Sequence, residues 1–493
     1  MQPLNVLMVA SEVAPFAKTG GLADMVAGLS AALAARGHTL RIVCPAYPSV
    51  EPHVARRESI VELPVLDGGG TRSATVERMF PKEAGGGSAQ SVEFYAIRQD
   101  VYFGRRGLYQ ESGQDYPDNL ARFAFFCRAA LGLVDHWVHR EGWVPDVIHA
   151  HDWQAALVPA YLRTTHAGAP WSRHVRSVLT LHNVGYQGIF PADQFPQLGL
   201  EAGLFTPQGL EFYGSVNLLK GGVIHADALT TVSPTYCQEI QTPEYGFGLE
   251  GVFRERRDRL VGIVNGIDTD VWNPATDRWL PANYSSLELG GKAVCKRALQ
   301  RERGLPAADV PLFAMVSRLV AQKGVDLVMG AAPVLVRGGG QLIVLGTGEP
   351  ELEAGVEDLA SRFPAQVNAV IGFDEGLAHR IQAGADAFLV PSRYEPCGLT
   401  QLCSLRYGTV PVVRRTGGLA DTVKGVSEGA SPDADATGFV FESADAAALG
   451  SAIRQTIRCF ERKADWQRLV QQGMQRSVGW EDSAIGYEGV YQR

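Results

Sequence analysis

The sequence predicts an α/β protein made of two doubly wound, Rossmann-like domains in tandem. Its 493 residues are too many for one hydrophobic core. Along the whole chain, short apolar, β-compatible runs alternate with helix-compatible segments, the pattern of parallel sheets with crossover helices. The third observation is an internal echo: Thr19-Gly-Gly-Leu-Ala-Asp24 recurs identically as Thr416-Gly-Gly-Leu-Ala-Asp421. Each copy follows a cation, Lys18 or Arg415, and each lies between a strand and a helix, as two related nucleotide-type folds would place it. Residues 1–255 read as the first domain and 256–476 as the second, with a helix over about 477–493 expected to pack back on the first. Two such sheets facing each other would leave a deep cleft as the default ligand site.

Composition narrows the class. Hydrophobic residues make up 46% and charged residues 20%, as in ordinary globular proteins, and the formal charge of −8 argues against nucleic acid or an anionic membrane as the main partner. Any anionic ligand must then be met by local Lys and Arg. Seven cysteines without a Cys-x-x-Cys pair fit neither a disulfide framework nor a zinc site and point to a reducing compartment. The start, Met1 to Ala10, has no basic leader and reads as a first strand, and no apolar run is long enough to cross a bilayer. A cytoplasmic protein is the expectation.

In order, Leu4–Ala10 reads as strand one, Leu22, Val26, Leu29 and Leu33 mark a helix face that ends at Gly37, and Leu40–Cys44 is the next strand. Between the first strand and its helix, Lys18-Thr-Gly-Gly-Leu22 is a glycine turn beside a cation, suited to a phosphate at a helix start. The alternative is a turn chosen for backbone geometry with Lys18 solvated. It is not a G-x-G-x-x-G fingerprint, so it gives a nicotinamide cofactor no support. Residues 66–91, with Gly68-Gly-Gly70 and Gly85-Gly-Gly87, read as a surface hairpin or loop region. The turn-rich segment Gly104–Asn119 either binds sugar or caps the helix that runs from Leu120 to about His139. Two strands then end in polar groups: Asp146-Val-Ile-His-Ala150 runs into His151-Asp152-Trp153, and Val178-Leu-Thr-Leu181 into His182-Asn183. Three histidines and an aspartate arriving at one carboxyl edge favour a site over isolated structural histidines, although the spacing matches no metal motif.

Leu260-Val-Gly-Ile-Val264 ends at Asn265-Gly-Ile-Asp268, after which an irregular stretch leads to a basic helix, Lys292–Arg303, whose charges read as a solvated face. A second series of strands follows. Leu312–Val316 ends in Ser317-Arg318 with Lys323 just beyond, Leu342–Leu345 ends in Gly346-Thr-Gly348, Ala369–Ile371 ends in Gly372-Phe373, and Val410–Val413 ends at the echo. Two cations beside one strand end of an acidic protein read as a phosphate clamp or as surface charge. The stretch Pro391-Ser-Arg-Tyr-Glu-Pro-Cys-Gly-Leu-Thr-Gln401 places a carboxylate, Glu395, and a glycine-opened turn directly after a buried strand. Glu395 is either a catalytic group at a sheet edge or a helix-dipole partner.

Together, Lys18-Thr-Gly-Gly-Leu22, His149-Ala-His-Asp-Trp153, His182-Asn183, Asn265-Gly-Ile-Asp268, Val316-Ser-Arg-Leu319 with Gln322-Lys-Gly324, Gly346-Thr-Gly-Glu349 and Glu395-Pro-Cys-Gly-Leu-Thr-Gln401 resemble the bacterial glycogen synthase and plant starch synthase family, retaining glycosyltransferases of the GT-B fold. The motifs run in the family's order from residue 4 to about 480.

That resemblance implies transfer of glucose from ADP-glucose to the 4-hydroxyl at the non-reducing end of an α-1,4-glucan, with retention and without an obligatory metal or other cofactor. It carries over Arg318 and Lys323 as the cations facing the departing diphosphate. Lys18 with Gly20 and Gly21 becomes a donor-binding loop, and Gly398, Leu399 and Thr400 become backbone contacts to donor sugar and phosphate. Glu395 becomes the essential carboxylate at the donor glucose, and His182 a neighbour of the reacting sugar. Asp24 and Asp152 fall on the acceptor side, Asn265 and Cys397 among the substrate contacts, and Phe373 near the adenine. Phe373 stands where the family often has Tyr, and Phe103-Gly-Arg-Arg-Gly-Leu-Tyr109 departs from the family's usual Asp-Arg-Pro-Gly. The absence of a carbohydrate-binding extension or transit peptide points to a bacterial protein. The alternatives are a UDP-glucose donor or a maltodextrin or small-sugar acceptor on the same fold, or a non-catalytic glucan-binding paralogue. The oligomeric state stays open.

Overall fold

The computed structural model describes residues 2–82, 92–427, 429 and 431–492. The chain divides into two compact units, Met1–Asn265 with Trp480–Arg493, and Gly266–Gly479. Among the described residues no helix is long and apolar enough to cross a membrane.

The first unit is organised on nine strands: β1 (Asn5–Val9), β2 (Thr39–Pro45), β3 (Val54–Asp67), β4 (Gly70–Pro81), β5 (Val92–Arg98), β6 (Val147–His151), β7 (Arg176–Leu181), β8 (Ala228–Thr231) and β9 (Leu260–Gly262). Their order across the sheet is β9-β8-β7-β6-β1-β2-β5-β4-β3. The strands from β9 to β5 are parallel, and β3 and β4 add an antiparallel hairpin at one edge. β1, β6 and β7 are almost wholly buried, which is why they read as continuous apolar runs. The hairpin expected over 66–91 is present at Gly68 and Gly69, both in the left-handed region, whereas Gly85-Gly-Gly87 lies outside the described residues. The sheet changes winding direction between β1 and β6, so the loops after these two strands flank its switch point.

The terminal helix Glu481–Gln492 packs within this unit. Glu488 accepts a two-pronged hydrogen bond from Arg36 (2.6 and 2.8 Å) and lies 3.0 Å from His38 Nε2, and the Tyr491 hydroxyl lies 2.8 Å from His149 Nδ1. Just before it, Trp480 fills the space where a Cβ on Gly28 would fall, 2.0 Å from the indole nitrogen. The helix Gly21–Ala35 therefore carries glycine at that turn.

The second unit holds β10 (Leu312–Val316), β11 (Gln341–Gly346), β12 (Val367–Ile371), β13 (Ala387–Val390), β14 (Val410–Arg414) and β15 (Phe439–Phe441). Their order, β12-β11-β10-β13-β14-β15, is the 3-2-1-4-5-6 order of dinucleotide-binding folds, and every pairing is parallel. Apolar clusters cover both faces of the sheet. One expectation fails here. The helix Gly290–Glu302 does not present all its cations to solvent: Lys296 pairs with Asp386 at 2.6 Å, and the Lys292 ammonium donates to the carbonyls of Ala383 and Tyr407 and to Thr409 Oγ1. Burial pushes Lys292 down to about 7. Four carbons of side chain let a lysine cross an apolar layer to distant acceptors, which spacing on one helix does not reveal.

Candidate functional site

In the second unit the switch point falls between β10 and β13, and the loops leaving these strands carry Arg318, Lys323 and Glu395. The two loops are tied together. Arg393 forks onto Asp326 at 2.8 and 2.7 Å and donates to the Ala321 carbonyl, while Gln322 Nε2 donates to the Tyr394 carbonyl. Gly324 has φ +69, and a Cβ there would meet the Pro391 carbonyl at 2.3 Å, so only glycine allows this approach.

Glu395 is buried, at 6% exposure, and is held by two donors: Lys323 Nζ at 2.6 Å and Ser392 Oγ at 2.8 Å, both to Oε2. Sequence spacing brought Lys323 to this strand end as a phosphate clamp or a surface cation, and its ammonium pairs here with the Glu395 carboxylate. Arg318 stays exposed, and its guanidinium makes no hydrogen bond or ion pair among the described residues. Gly346-Thr-Gly348 does not form a turn of its own. Its glycines let the backbone zip onto residues 317–319, with Leu319 N–H to the Thr347 carbonyl (2.9 Å), Glu349 N–H to the Leu319 carbonyl (2.8 Å), and room for a Cβ at neither glycine. That contact fixes the backbone of Arg318.

The second copy of the echo closes the other side of the Glu395 loop. Gly418 N–H reaches the carbonyls of Glu395 and Pro396 at 3.1 Å each. Gly417 has φ +43, and a Cβ on it would stand 2.0 Å from the Glu395 carbonyl oxygen; on Gly418 it would stand 2.1 Å from that of Cys397. Cys397 is buried, Gly398 takes φ +72, and Leu399 precedes the helix Thr400–Arg406, whose start has no side-chain cap. Gly398, Leu399 and Thr400 thus lie on the Glu395 loop at the switch point. Phe373 follows β12 after Gly372 and is 89% exposed.

In the first unit, Glu12 after β1 is buried and accepts from Thr19 N–H (2.5 Å), Thr19 Oγ1 (2.7 Å) and the Tyr109 hydroxyl (2.6 Å). It fixes the turn that carries Lys18, Gly20 and Gly21. Among the described residues nothing lies within 4 Å of a Cβ built on Gly20, and the helix Gly21–Ala35 has no side-chain cap. Identical hexapeptides thus serve two ends: the second is packed solid and the first stays open. Lys18 pairs with Asp24 at 2.7 Å. The Gly104–Asn119 segment is pinned by Arg105 forked onto Asp118 (2.7 and 2.5 Å) and by the buried Arg122, which bonds the carbonyls of Tyr102 and Leu108; Asp118 does not cap the following helix.

Asp152 has φ +54, and its Oδ1 accepts the His182 N–H at 2.7 Å, joining the ends of β6 and β7. His182 Nε2 lies 3.2 Å from His151 Nδ1, and the His151 ring stacks on His149 at 4.2 Å. His149 sits one register deeper, between Thr180 Oγ1 (2.5 Å) and Tyr491, so it belongs to the packing of the terminal helix and not to the edge. Burial holds His149 and His182 down at about 3 and His151 well below its ordinary value, so all three are neutral at pH 7. Burial pushes Asp152 up to about 7 against the N–H groups of His182 and Asn183. Asn265 is buried after β9, and its Oδ1 has no partner among the described residues. Ser392, Glu12 and Arg393 escaped sequence reading; the one signal available was their position at strand ends.

Comparison with known proteins matches residues 5–255 to the family described as the starch synthase catalytic domain and residues 296–472 to glycosyl transferases group 1. A glycogen synthase of Syntrophotalea carbinolica is 45% identical over 491 residues, and one of an Anaeromyxobacter species 46% over 493, with 99% of both chains covered in each case. The catalytic domain of starch synthase IV from Arabidopsis thaliana, solved bound to ADP and acarbose, superposes with a TM-score of 0.91 at 34% identity, covering 100% of this chain and 99% of that one.

Proposed function

The chain belongs to the glycogen and starch synthase family of retaining glycosyltransferases, and from that premise we propose that it transfers glucose from ADP-glucose to the non-reducing-end 4-hydroxyl of an α-1,4-glucan. One observation carries the reading. A buried carboxylate, Glu395, is paired with Lys323 at the switch point of a 3-2-1-4-5-6 sheet, and the exposed Arg318 sits on the same strand-end loop as Lys323. In the transfer, the bond from the anomeric carbon to the diphosphate breaks, a bond to the acceptor oxygen forms on the same face, and the acceptor proton leaves with ADP. Negative charge builds on the departing diphosphate, and fixed cations lower the barrier by opposing it where it develops. Arg318 and Lys323 take that role. The Lys18 turn, with Gly20 open, Gly21 exposed and a helix start behind them, suits phosphate oxygens.

Glu395 acts on the donor glucose, Gly398, Leu399 and Thr400 offer backbone contacts to it, and Cys397 and Asn265 complete the substrate contacts. Phe373 stacks on the adenine with an exposed ring. Neutral His182 stands beside the reacting sugar as a hydrogen-bonding group, not a cation, and Asp24 and Asp152 belong to the acceptor side. The seven free cysteines support a cytoplasmic setting. The test is incubation with glycogen and either radiolabelled ADP-glucose or radiolabelled UDP-glucose. Label entering the polymer from ADP-glucose, and far less from UDP-glucose, is expected; folded protein that moves no label from either donor overturns the reading.

A further inference from the structure

Following the loop that begins at His182, the chain forms a small three-stranded sheet of Ile189–Pro191, Ser215–Asn217 and Glu211–Phe212. Large apolar side chains stand exposed on and around it: Tyr213 at 85%, Tyr186 at 52%, Ile189 at 49% and Phe247 at 41%. Two of them hold a backbone conformation that bulky residues rarely adopt. Tyr213 has φ +49 and Phe247 φ +50, each followed by a glycine in the same region, Gly214 at +80 and Gly248 at +85. A hairpin turn of this shape ordinarily takes Asn-Gly or Asp-Gly. Here an aromatic occupies the strained position twice, and strain at an exposed residue points to use.

The two turns touch. A Cβ on Gly248 would meet the Phe212 ring at 2.9 Å and the Tyr213 ring at 3.6 Å, and Phe212 packs edge-on against Tyr213 with centroids 4.7 Å apart. They are also fastened to the His182 loop. Buried Gln187 donates to the carbonyls of Phe247 (3.0 Å) and Val184 (3.1 Å) and accepts from Asn217 at 2.6 Å. Beneath, Phe190 packs on Trp153, the neighbour of Asp152, with centroids 5.9 Å apart. The backbone turns that carry the rings are therefore pinned, on elements continuous with the strand ends that carry Asp152 and His182.

We infer that Tyr213, Phe247 and Tyr186 form a stacking platform for successive glucose units of an α-1,4-glucan. The inference rests on the reading of the acceptor above and extends it to where the polymer is held. Exposed rings on turn tips offer flat apolar faces to the C–H faces of pyranoses, and a backbone fixed beforehand leaves only side-chain torsions to be ordered on binding. An uncharged polymer suits a patch whose contacts are aromatic.

The test uses the full chain and the variants Tyr213→Asn and Phe247→Asn, since asparagine tolerates the left-handed backbone and keeps the turns. Tyr186→Ser repeats the test at a position without a positive φ. Two quantities are read: retardation in native gels cast with glycogen, which needs no turnover, and KM for glycogen in the transfer assay. The expectation is weaker retardation and a rise of about tenfold in KM for glycogen, with KM for ADP-glucose within about twofold. Unchanged retardation and KM in all three variants overturn the platform. So does a concentration-dependent dimer that Tyr213→Asn abolishes while glycogen affinity is kept, since the face then belongs to a second copy. If the wild type transfers no glucose yet is retarded by glycogen, the platform stands while the activity fails; transfer without any ring dependence gives the reverse.

Discussion

Lys323 Nζ stands 2.6 Å from Glu395 Oε2, so the cation expected for the diphosphate and the carboxylate expected at the sugar form one ion pair. In the proposed reaction the donor's diphosphate would meet Lys323 and its sugar hydroxyls Glu395, while Ser392 also donates to the carboxylate at 2.8 Å. On the proposed role, Lys323→Gln removes a fixed positive charge facing the leaving group. Turnover with ADP-glucose is expected to fall by about 10²–10³-fold, the scale seen when one such stabilising group is removed. Initial-rate kinetics check this, and a loss below threefold would argue that Lys323 only balances Glu395.

Gly20 and Gly417 occupy the same position in the two copies of the hexapeptide and should respond oppositely to alanine. At Gly417 the backbone is left-handed and a Cβ meets the Glu395 carbonyl at 2.0 Å; at Gly20 φ is −163° and nothing lies within 4 Å among the described residues. Gly417→Ala is expected to cost about 1–2 kcal/mol for the backbone alone, and more for displacing the Glu395 loop. Gly20→Ala is expected to change unfolding stability by less than about 0.5 kcal/mol. Urea unfolding of both variants measures the contrast.

Acid should destabilise the first unit through its histidines. His149 and His182 bind protons at about 6.5 when unfolded and only near 3 when folded, so the unfolded chain takes up more protons between these values. Their contribution is intact above pH 6.5 and is lost as the pH falls towards 3, and His151 acts in the same direction. Asp152 works against them. Its carboxyl moves from 3.8 to about 7 on folding, so the folded state holds the extra proton and stability declines as the pH rises through that window. Three imidazoles against one carboxyl give a urea midpoint that drops from pH 6.5 to pH 4, and Asp152→Asn should steepen the drop. A midpoint that is flat across this range, or a shallower slope in the variant, contradicts the assignment.

Much of this was legible in the chain. Apolar runs located the strands because parallel strands are buried on both faces, and residues at the strand ends found the switch point because the fold places it there. The echo pointed to two related units. What stayed hidden depends on which distant partner a side chain reaches. Lys292 and Lys296 read as solvated, yet Lys292 reaches the Ala383 carbonyl and Lys296 the Asp386 carboxylate, each some 90 residues away in the chain. His149 read as an edge residue and lies against the terminal helix, hundreds of positions further on. Glu12, which holds the Lys18 turn, is seven residues before Thr19 and nothing in its neighbours marks it. Even the echo did not reveal that one copy is packed solid and the other open, because that difference is made by the loop at Glu395.

The central claim is that Glu395 acts on the donor glucose and not merely as the partner of Lys323. Glu395→Gln keeps the shape and the Ser392 contact but removes the charge. Measuring turnover with ADP-glucose and glycogen together with ADP binding by calorimetry, in wild type and variant, separates the two roles. The account predicts a fall in kcat of at least about 10³-fold with the Kd for ADP within about threefold. A kcat within tenfold of wild type, or turnover and ADP binding lost in parallel, would contradict it.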